Sequence, residues 1–129
     1  MLLLKMIYVI DDDQSVLRAL LLLLKASGFD ARAFSSAEEF LVQSRPIGGD
    51  CIILDLSMPG MNGFALMAKL AARGISAPVI IITAFDDAES RERAREMKAS
   101  AFLTKPVDDQ ALIDTIKWAA RSAEKNACG

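Results

Sequence analysis

The sequence predicts an α/β fold in which a parallel sheet is covered by helices on both faces. Five short apolar runs alternate with five stretches of helical character along the 129 residues. This alternation is typical of repeated strand–helix units joined by right-handed crossovers. Three of the runs are almost wholly apolar, which favours parallel strands buried on both faces over a one-sided antiparallel sheet. With 53% hydrophobic residues, a chain of this length can bury one core without disulfides or a structural metal.

The predicted strands are apolar, β-rich runs that end at charged or loop-forming residues. The run from Phe29 to Phe34 has the weakest pattern, whereas the run from Cys51 to Leu54 is uncharged and is followed by Asp55 and then by a loop containing Pro59. We expect the strands at residues 6–10, 29–34, 51–54, 78–83 and 99–104.

The predicted helices follow from apolar residues at helical spacing and from residues that start or stop a helix. Gly28 and Gly74 supply C-terminal stops, two overlapping capping boxes open the second helix, and Asp108 can cap the last one. We expect the helices within residues 16–28, 35–43, 63–74, 87–97 and 108–124. The chain is then one domain over residues 1–122, and residues 123–129 are a tail or the start of a linker.

Composition and charge argue against several classes of partner. The formal charge is −2 and the basic residues are dispersed, which does not favour direct nucleic-acid binding. Cys51 and Cys128 are too far apart for a metal or redox motif, so we expect a reducing, cytoplasmic compartment. The run Leu20 to Leu24 is far shorter than the roughly 20 residues that cross a bilayer, and residues 1–5 lack the basic start of a signal peptide. No membrane association is expected.

Polar side chains follow four of the predicted strands, at the edge of the sheet where ligands bind in open α/β folds. Each has an ordinary explanation when taken singly: a terminal aspartate is often a helix cap, a threonine is a good strand residue, and a lysine is often a solvated charge. They are Asp11, Asp12 and Asp13 after the first strand, Asp55 after the third, Thr83 at the end of the fourth, and Lys105 after the fifth.

Taken together, these residues point to phosphoryl transfer. If the first and third strands are neighbours, at least three carboxylates crowd into one crevice, where like charges raise their pKa values unless a cation is bound. Oxygen ligands suit Mg²⁺, or Mn²⁺, and the chain contains no histidine for zinc. A carboxylate beside Mg²⁺, with a lysine and a hydroxyl opposite, can act as a nucleophile and form an aspartyl phosphate.

Two features that the sequence lacks argue against further classes of protein. A Walker-type glycine-rich loop is absent, which disfavours a bound nucleotide. Because there is no histidine, the chain is neither a histidine kinase nor a histidine phosphotransfer module. A phosphohistidine would have to come from a partner, or a small phosphodonor would have to replace it.

Over about residues 5–122 the sequence resembles the receiver domain of bacterial two-component response regulators. Four ordered motifs carry the resemblance: residues 9–13, 53–63, 81–84 and 102–106. Within that family it most resembles receivers that precede helix-turn-helix output domains in nitrogen-fixation-type regulators. The resemblance implies a flavodoxin-like (βα)5 fold with strand order 2-1-3-4-5. It also implies a signalling switch that catalyses only its own phosphorylation and dephosphorylation.

The resemblance further implies the chemistry of the site. Asp55 would accept the phosphoryl group from a partner sensor histidine kinase. Asp12 and Asp55 would ligate Mg²⁺ directly, together with the main-chain carbonyl of Ser57, while Asp11 would act largely through water. Lys105 would pair with Asp55 or its phosphate, and a cis peptide bond would follow Lys105.

The resemblance also implies a switch. Thr83 would hydrogen-bond a phosphoryl oxygen, and Phe102 would swing inward as Thr83 moves. That exchange would reshape the surface formed by the fourth helix, the fifth strand and the fifth helix, the usual dimer or partner face of the family. Phe85, two residues after Thr83, could shield the acyl phosphate from water, and Asp13 could tune the field or cap the first helix.

One departure from the family pattern lies before the fifth strand, where Lys98 replaces the usual glycine. If Lys98 adopts the left-handed helical conformation, this costs about 1 kcal/mol relative to glycine. The alternative is a rearranged end of the fourth helix.

Two other functions remain open. The pattern Asp11-x-Asp13 also resembles haloacid-dehalogenase-type phosphatases, in which Asp11 would be the nucleophile and Asp13 the acid/base, but the chain is short for that fold and Asp55 would be unexplained. A docking pseudo-receiver is the third possibility, although none of Asp12, Asp55 or Lys105 is missing. The sequence is compatible with a stand-alone receiver and with a fragment of a longer regulator.

Overall fold

The computed structural model describes residues 6–47 and 49–128. Within them, five parallel strands form one sheet in the order β2-β1-β3-β4-β5. This is the predicted class and strand order. The strands are β1 (Ile7–Ile10), β2 (Ala31–Phe34), β3 (Cys51–Asp55), β4 (Val79–Thr83) and β5 (Ala101–Thr104).

The five helices of the described residues overlap the five predicted stretches, although the first begins at Gln14, two residues before its predicted start. Their N-termini are capped by side chains, as with Asp13, Ser36, Asn62 and Asp87, because the first backbone N–H groups of a helix lack partners within it. The helices are α1 (Gln14–Ala26), α2 (Ala37–Gln43), α3 (Gly63–Ala72), α4 (Ala88–Glu96) and α5 (Asp109–Cys128).

Alternate residues of each strand enter two separate cores. On one face Val9 and Ile53 pack with Leu24 of α1 and Ile116 of α5. On the other, Ile10, Ile52 and their neighbours pack with residues of α2, α3 and α4, including Phe40, Phe64 and Ala94. Because both faces are covered, the strands β1, β3 and β4 are buried along their whole length, as the apolar runs predicted.

The register of the strands brings the polar residues to one edge. Ile10 pairs with Leu54, so that Asp11 and Asp55 are adjacent positions at the carboxyl ends of β1 and β3. Thr83 pairs with Thr104, which puts Lys105 one residue beyond. The sequence predicted this cluster of polar residues on the condition that the first and third strands are neighbours. The structure meets that condition.

Helix α5 is longer than predicted. It continues to Cys128, through most of the stretch predicted as a tail, because alanine, glutamate and lysine in this stretch are good helix formers. The domain boundary at residue 122 remains a prediction. Residues 1–5, on which the prediction about a signal peptide rests, lie outside the described residues. No helix in the described part is both long enough and apolar enough to cross a membrane.

Of the two alternatives for Lys98, the structure has the left-handed conformation. Its φ is 64°, and the N–H groups of Lys98 and Ala99 donate to the carbonyls of Arg95 and Ala94 at 3.0 Å each. These two bonds form the usual glycine-type helix end, which Gly74 forms after α3 with a φ of 72°. The end of α4 is therefore not rearranged, and a lysine occupies a conformation that favours glycine.

The substitution Lys98→Gly should therefore stabilise the fold by up to about 1 kcal/mol, because glycine adopts this φ without steric cost. Urea denaturation with an unchanged m-value is the appropriate measurement. The matched control is Ser27→Gly at the end of α1, where φ is −89° and no gain is expected. A loss of stability in Lys98→Gly would contradict the prediction.

Candidate functional site

Three carboxylates meet at the carboxyl edge of the sheet. One oxygen from each of Asp11, Asp12 and Asp55 lies within 4.8 Å of the other two. Asp11 is completely buried and Asp55 is 5% exposed, whereas Asp12 is exposed. The sequence-predicted acidic cluster is thus assembled by the strand order, with two carboxylates held under the surface and one facing solvent.

Lys105 lies between the two buried carboxylates. Its Nζ donates to Asp11 Oδ2 at 2.7 Å and to Asp55 Oδ2 at 3.3 Å. The resemblance implied a pairing with Asp55, and the structure adds a shorter contact to Asp11. The peptide bond between Lys105 and Pro106 is cis, as the resemblance implied.

The charges at this edge perturb one another. Burial, followed by the charge of Asp11, raises the pKa of the Asp55 carboxyl above 3.8, and the Ser57 N–H and Lys105 offset only part of this. Burial alone would lower the pKa of Lys105, but its hydrogen bond to Asp11 and the charges of both carboxylates raise it above 10.5. The single ammonium of Lys105 therefore offsets only part of the free-energy cost of holding two charged carboxylates under the surface.

The donor set fits a divalent hard cation. The three carboxylates carry three negative charges against one positive charge from Lys105, and the ligand atoms are all oxygens. Mg²⁺ and Mn²⁺ prefer such ligands and usually keep several bound waters. Because Asp12 is exposed to solvent, the site has room for these waters. Asp11, Asp12 and Asp55 could hold the ion.

The loop after Asp55 returns tightly against the strand. The Ser57 N–H donates to Asp55 Oδ1 at 3.2 Å, and the Gly63 N–H donates to the carbonyl of Leu56 at 3.0 Å. A Cβ at Gly63 would lie 2.7 Å from the Asp55 carbonyl oxygen, closer than side chains allow. Glycine at position 63 therefore permits the return that holds Ser57 beside Asp55.

Thr83 is buried at the end of β4. Its Oγ1 accepts a hydrogen bond from the Phe85 N–H at 3.1 Å, and its carbonyl accepts one from the Lys105 N–H at 2.8 Å. Phe85 itself is 62% exposed. It borders the acidic cleft of about 210 Å³ together with the aspartates and Lys105, while Thr83 borders a neighbouring cleft that shares Ser57 and Phe85 with the first.

Phe102 does not join the acidic cleft. It lies in the middle of β5, paired with Ile81, is partly buried, and carries the Arg91 guanidinium 4.7 Å from its ring centroid. Of the residues named by the resemblance, Phe102 on β5 therefore lies apart from the charged group around Asp55.

Sequence reasoning left the role of Asp13 open and missed two contacts near the site. Asp13 caps α1 by accepting from the N–H groups of Ser15 and Val16. Glu38 of α2 accepts from the Met61 N–H at 2.9 Å. Asp86 accepts from residues of α4 and β5, described below. Glu38 and Met61 are 23 residues apart along the chain, so that no local pattern in a single sequence predicts their contact.

Comparison with known proteins is consistent with this geometry. Residues 7–117 match the family described as the response regulator receiver domain. The chain is 38% identical over 120 residues to the transcriptional regulatory protein FixJ of Azorhizobium caulinodans, covering 92% of this chain and 57% of that protein. It is 35% identical to nodulation protein W of Bradyrhizobium diazoefficiens, covering 92% of this chain and 52% of that protein. The chain thus spans about half the length of these curated relatives.

Solved structures agree. The response regulator StyR superposes with a TM-score of 0.87 at 36% identity, covering 95% of this chain and 62% of that one. The structure described as FixJ-N gives 0.83 at 30% identity, covering 91% of this chain and 94% of that one.

The raised pKa of Asp55 predicts a pH-dependent stability. Above the folded-state pKa the buried carboxylate is charged and costs free energy; below 3.8 it is protonated in both folded and unfolded states and costs none. Asp55→Asn should therefore stabilise the fold at pH 7, and the gain should shrink as the pH falls from above the folded-state pKa of Asp55 toward 3.8. Urea denaturation at pH 7 and pH 4 without divalent cations measures it. Asp13→Asn is the control and should show no such gain, and a destabilised Asp55→Asn at pH 7 would contradict the prediction.

Proposed function

The chain belongs to the response regulator receiver domain family, and on that premise we propose that Asp55 is its phosphoacceptor. The observation that carries the proposal is the setting of the Asp55 carboxylate. It is nearly buried at the end of β3, one oxygen accepts from Lys105, the other accepts from the Ser57 N–H, and Asp11 lies opposite. A carboxylate held by fixed donors in a cleft open to solvent is suited to nucleophilic attack.

In the proposed reaction a carboxylate oxygen of Asp55 attacks the phosphorus of a donor and forms a P–O bond. The bond from phosphorus to the donor breaks, and its electron pair leaves with the donor group. For a phosphohistidine of a partner histidine kinase this is the P–N bond, and the imidazole leaves; for acetyl phosphate, the acetate leaves. The ammonium of Lys105 is placed 3.3 Å from Asp55 Oδ2, where it offsets negative charge on the transferring group.

A divalent cation, Mg²⁺ or Mn²⁺, would complete the charge balance. Asp11, Asp12 and Asp55 would hold it, with the main-chain carbonyl of Ser57 as a further oxygen ligand. When bound, it would supply positive charge to the phosphoryl oxygens. Asp11 would contribute mainly through water, because its Oδ2 already accepts from Lys105 at 2.7 Å and its Oδ1 accepts from the Asp13 N–H at 2.9 Å.

The switch residues would be Thr83 and Phe102. The Thr83 hydroxyl would leave the Phe85 N–H to donate to a phosphoryl oxygen on Asp55, and the ring of Phe102 would turn inward from its partly buried position. The surface of α4, β5 and α5 would change as a result, and a homodimer through this face is part of the proposal. The chain spans about half of its curated relatives, three of which are transcriptional regulatory proteins by name. The whole protein would therefore regulate transcription in the cytoplasm through an output domain or a partner.

The phosphatase alternative is disfavoured by Asp13. Its Oδ1 accepts from the backbone N–H groups that begin α1, at 2.9 and 3.3 Å, so that proton transfer through this oxygen would require the cap to break.

Incubation with Mg²⁺ and acetyl phosphate should add one phosphoryl group to the chain, measured by intact mass. Asp55→Asn should remove the adduct, because the amide is not a nucleophile, and EDTA should prevent its formation. Asp13→Asn serves as the matched control and should still be phosphorylated. An adduct that survives Asp55→Asn but disappears in Asp11→Asn would overturn the receiver function in favour of the phosphatase.

Mg²⁺ should raise the thermal unfolding temperature of the wild-type chain, because a ligand that binds only the folded state stabilises it. Asp12→Asn should abolish most of this shift by removing an exposed ligand. Asp13→Asn should retain it, since asparagine also caps helices. Sodium chloride at equal ionic strength corrects for screening, and an equal shift in wild type and Asp12→Asn would contradict the proposed ligand set.

A further inference from the structure

Asp86, the third residue after Thr83, is bound from two directions. From α4, the Arg91 guanidinium donates to both carboxylate oxygens, with Nη2 2.9 Å from Oδ2. From β5, Thr104 Oγ1 donates to Oδ2 at 2.8 Å. Arg91 also lies over the ring of Phe102 at 4.7 Å. Asp86, Arg91, Thr104 and Phe102, here called the Asp86 network, thus join the loop after β4 to α4 and to β5.

Helix α4 has few other attachments. Among residues 88–96, all of which are described, only Ala94 is buried. The Arg93 guanidinium lies over the ring of Phe64 of α3 at 4.6 Å, which is a second exposed contact. A helix that is held by one small buried side chain and by solvent-exposed contacts is easily shifted. Its position therefore depends on interactions such as those of the Asp86 network.

The network is connected to both proposed switch residues. Ala84 and Phe85 alone separate Asp86 from Thr83, so a movement of Thr83 toward Asp55 would carry the loop with it and draw Asp86 away from Thr104. A ring of Phe102 that turned inward would leave the guanidinium of Arg91. Each of the two movements breaks a contact of the network.

We infer that Asp86 and Arg91 are positioning residues that hold the Thr83 loop and Phe102 in the unphosphorylated arrangement and so oppose the switch. The inference rests on the proposed function of Asp55, Thr83 and Phe102. The hydrogen bond from Arg91, and then that from Thr104, lower the pKa of Asp86 to about 2, so the carboxylate keeps its charge at physiological pH. A bidentate arginine pair of this kind fixes geometry as well as charge.

Beryllofluoride, a non-covalent mimic of the phosphoryl group, tests the inference in the presence of Mg²⁺. Fluorine NMR of the bound mimic gives its dissociation constant. Asp86→Asn keeps the size of the side chain and an acceptor for Thr104 but removes the charge that binds Arg91. The dissociation constant of this variant for beryllofluoride should fall about two- to fivefold, as expected from loss of one exposed ion pair in the unliganded state alone.

Arg91→Gln should tighten binding at least as much, because it also removes the contact with the ring of Phe102. The double variant should gain no more than Arg91→Gln alone, because Asp86→Asn removes only the pair that Arg91→Gln already removes. Arg95→Gln is the matched control. It breaks the exposed pair of Arg95 with Glu92 on the same helix, at 2.7 Å, and should leave the dissociation constant unchanged. Tighter binding distinguishes a positioning role from a structural one, since damage to the fold would weaken binding.

Unchanged or weaker binding in both Asp86→Asn and Arg91→Gln would overturn the inference. An equal gain in Arg95→Gln would also overturn it, since the effect would then reflect the general charge of α4. Failure of the wild-type chain to bind beryllofluoride with Mg²⁺ is a different result, which would overturn the proposed function and with it the role of the network.

Discussion

The contact of the Lys105 ammonium with the buried carboxylates of Asp11 and Asp55 is the interaction on which the candidate site depends. Two carboxylates at adjacent strand ends repel each other, and burial increases the cost of their charges. Lys105 offsets part of that cost, with its shorter contact to Asp11 at 2.7 Å. Asp55 keeps the longer contact and a raised pKa. Of the two carboxylates, the one proposed to react therefore has the longer contact with the Lys105 ammonium.

The sheet makes this arrangement possible because it fixes the separations that the chemistry needs. Asp11, Asp55 and Lys105 come from three strands, and the covered faces of the sheet leave those strands little freedom to move. On the same edge, the close approach of Gly63 to the Asp55 backbone holds the next loop against the site. The groups proposed to take part in the reaction therefore belong to the rigid part of the molecule.

Helix α4 has the opposite character. It is attached by Ala94, by arginine–aromatic contacts and by the Asp86 network, and it ends at Lys98 in a conformation that costs free energy. A weakly attached helix beside a rigid charged site can change position at small cost when the charge of the site changes. This contrast in attachment is the physical basis for a switch in which chemistry and movement are separated in space.

The sequence by itself determined the alternation of strands and helices, the burial of β1, β3 and β4, and the polar residues at the strand ends, because periodicity and apolar runs are local properties. At Lys98 it left two alternatives, the left-handed conformation and a rearranged end of α4, and the structure has the first. Only the tertiary structure decided that Lys105 contacts Asp11 more closely than Asp55, that Glu38 holds Met61, and that Asp86 joins Arg91 and Thr104. Apart from the pair of Asp86 with Arg91, which are five residues apart, those contacts join groups far apart in the chain. No local pattern in a single sequence encodes such distances, because they are set by how the layers of the fold pack together.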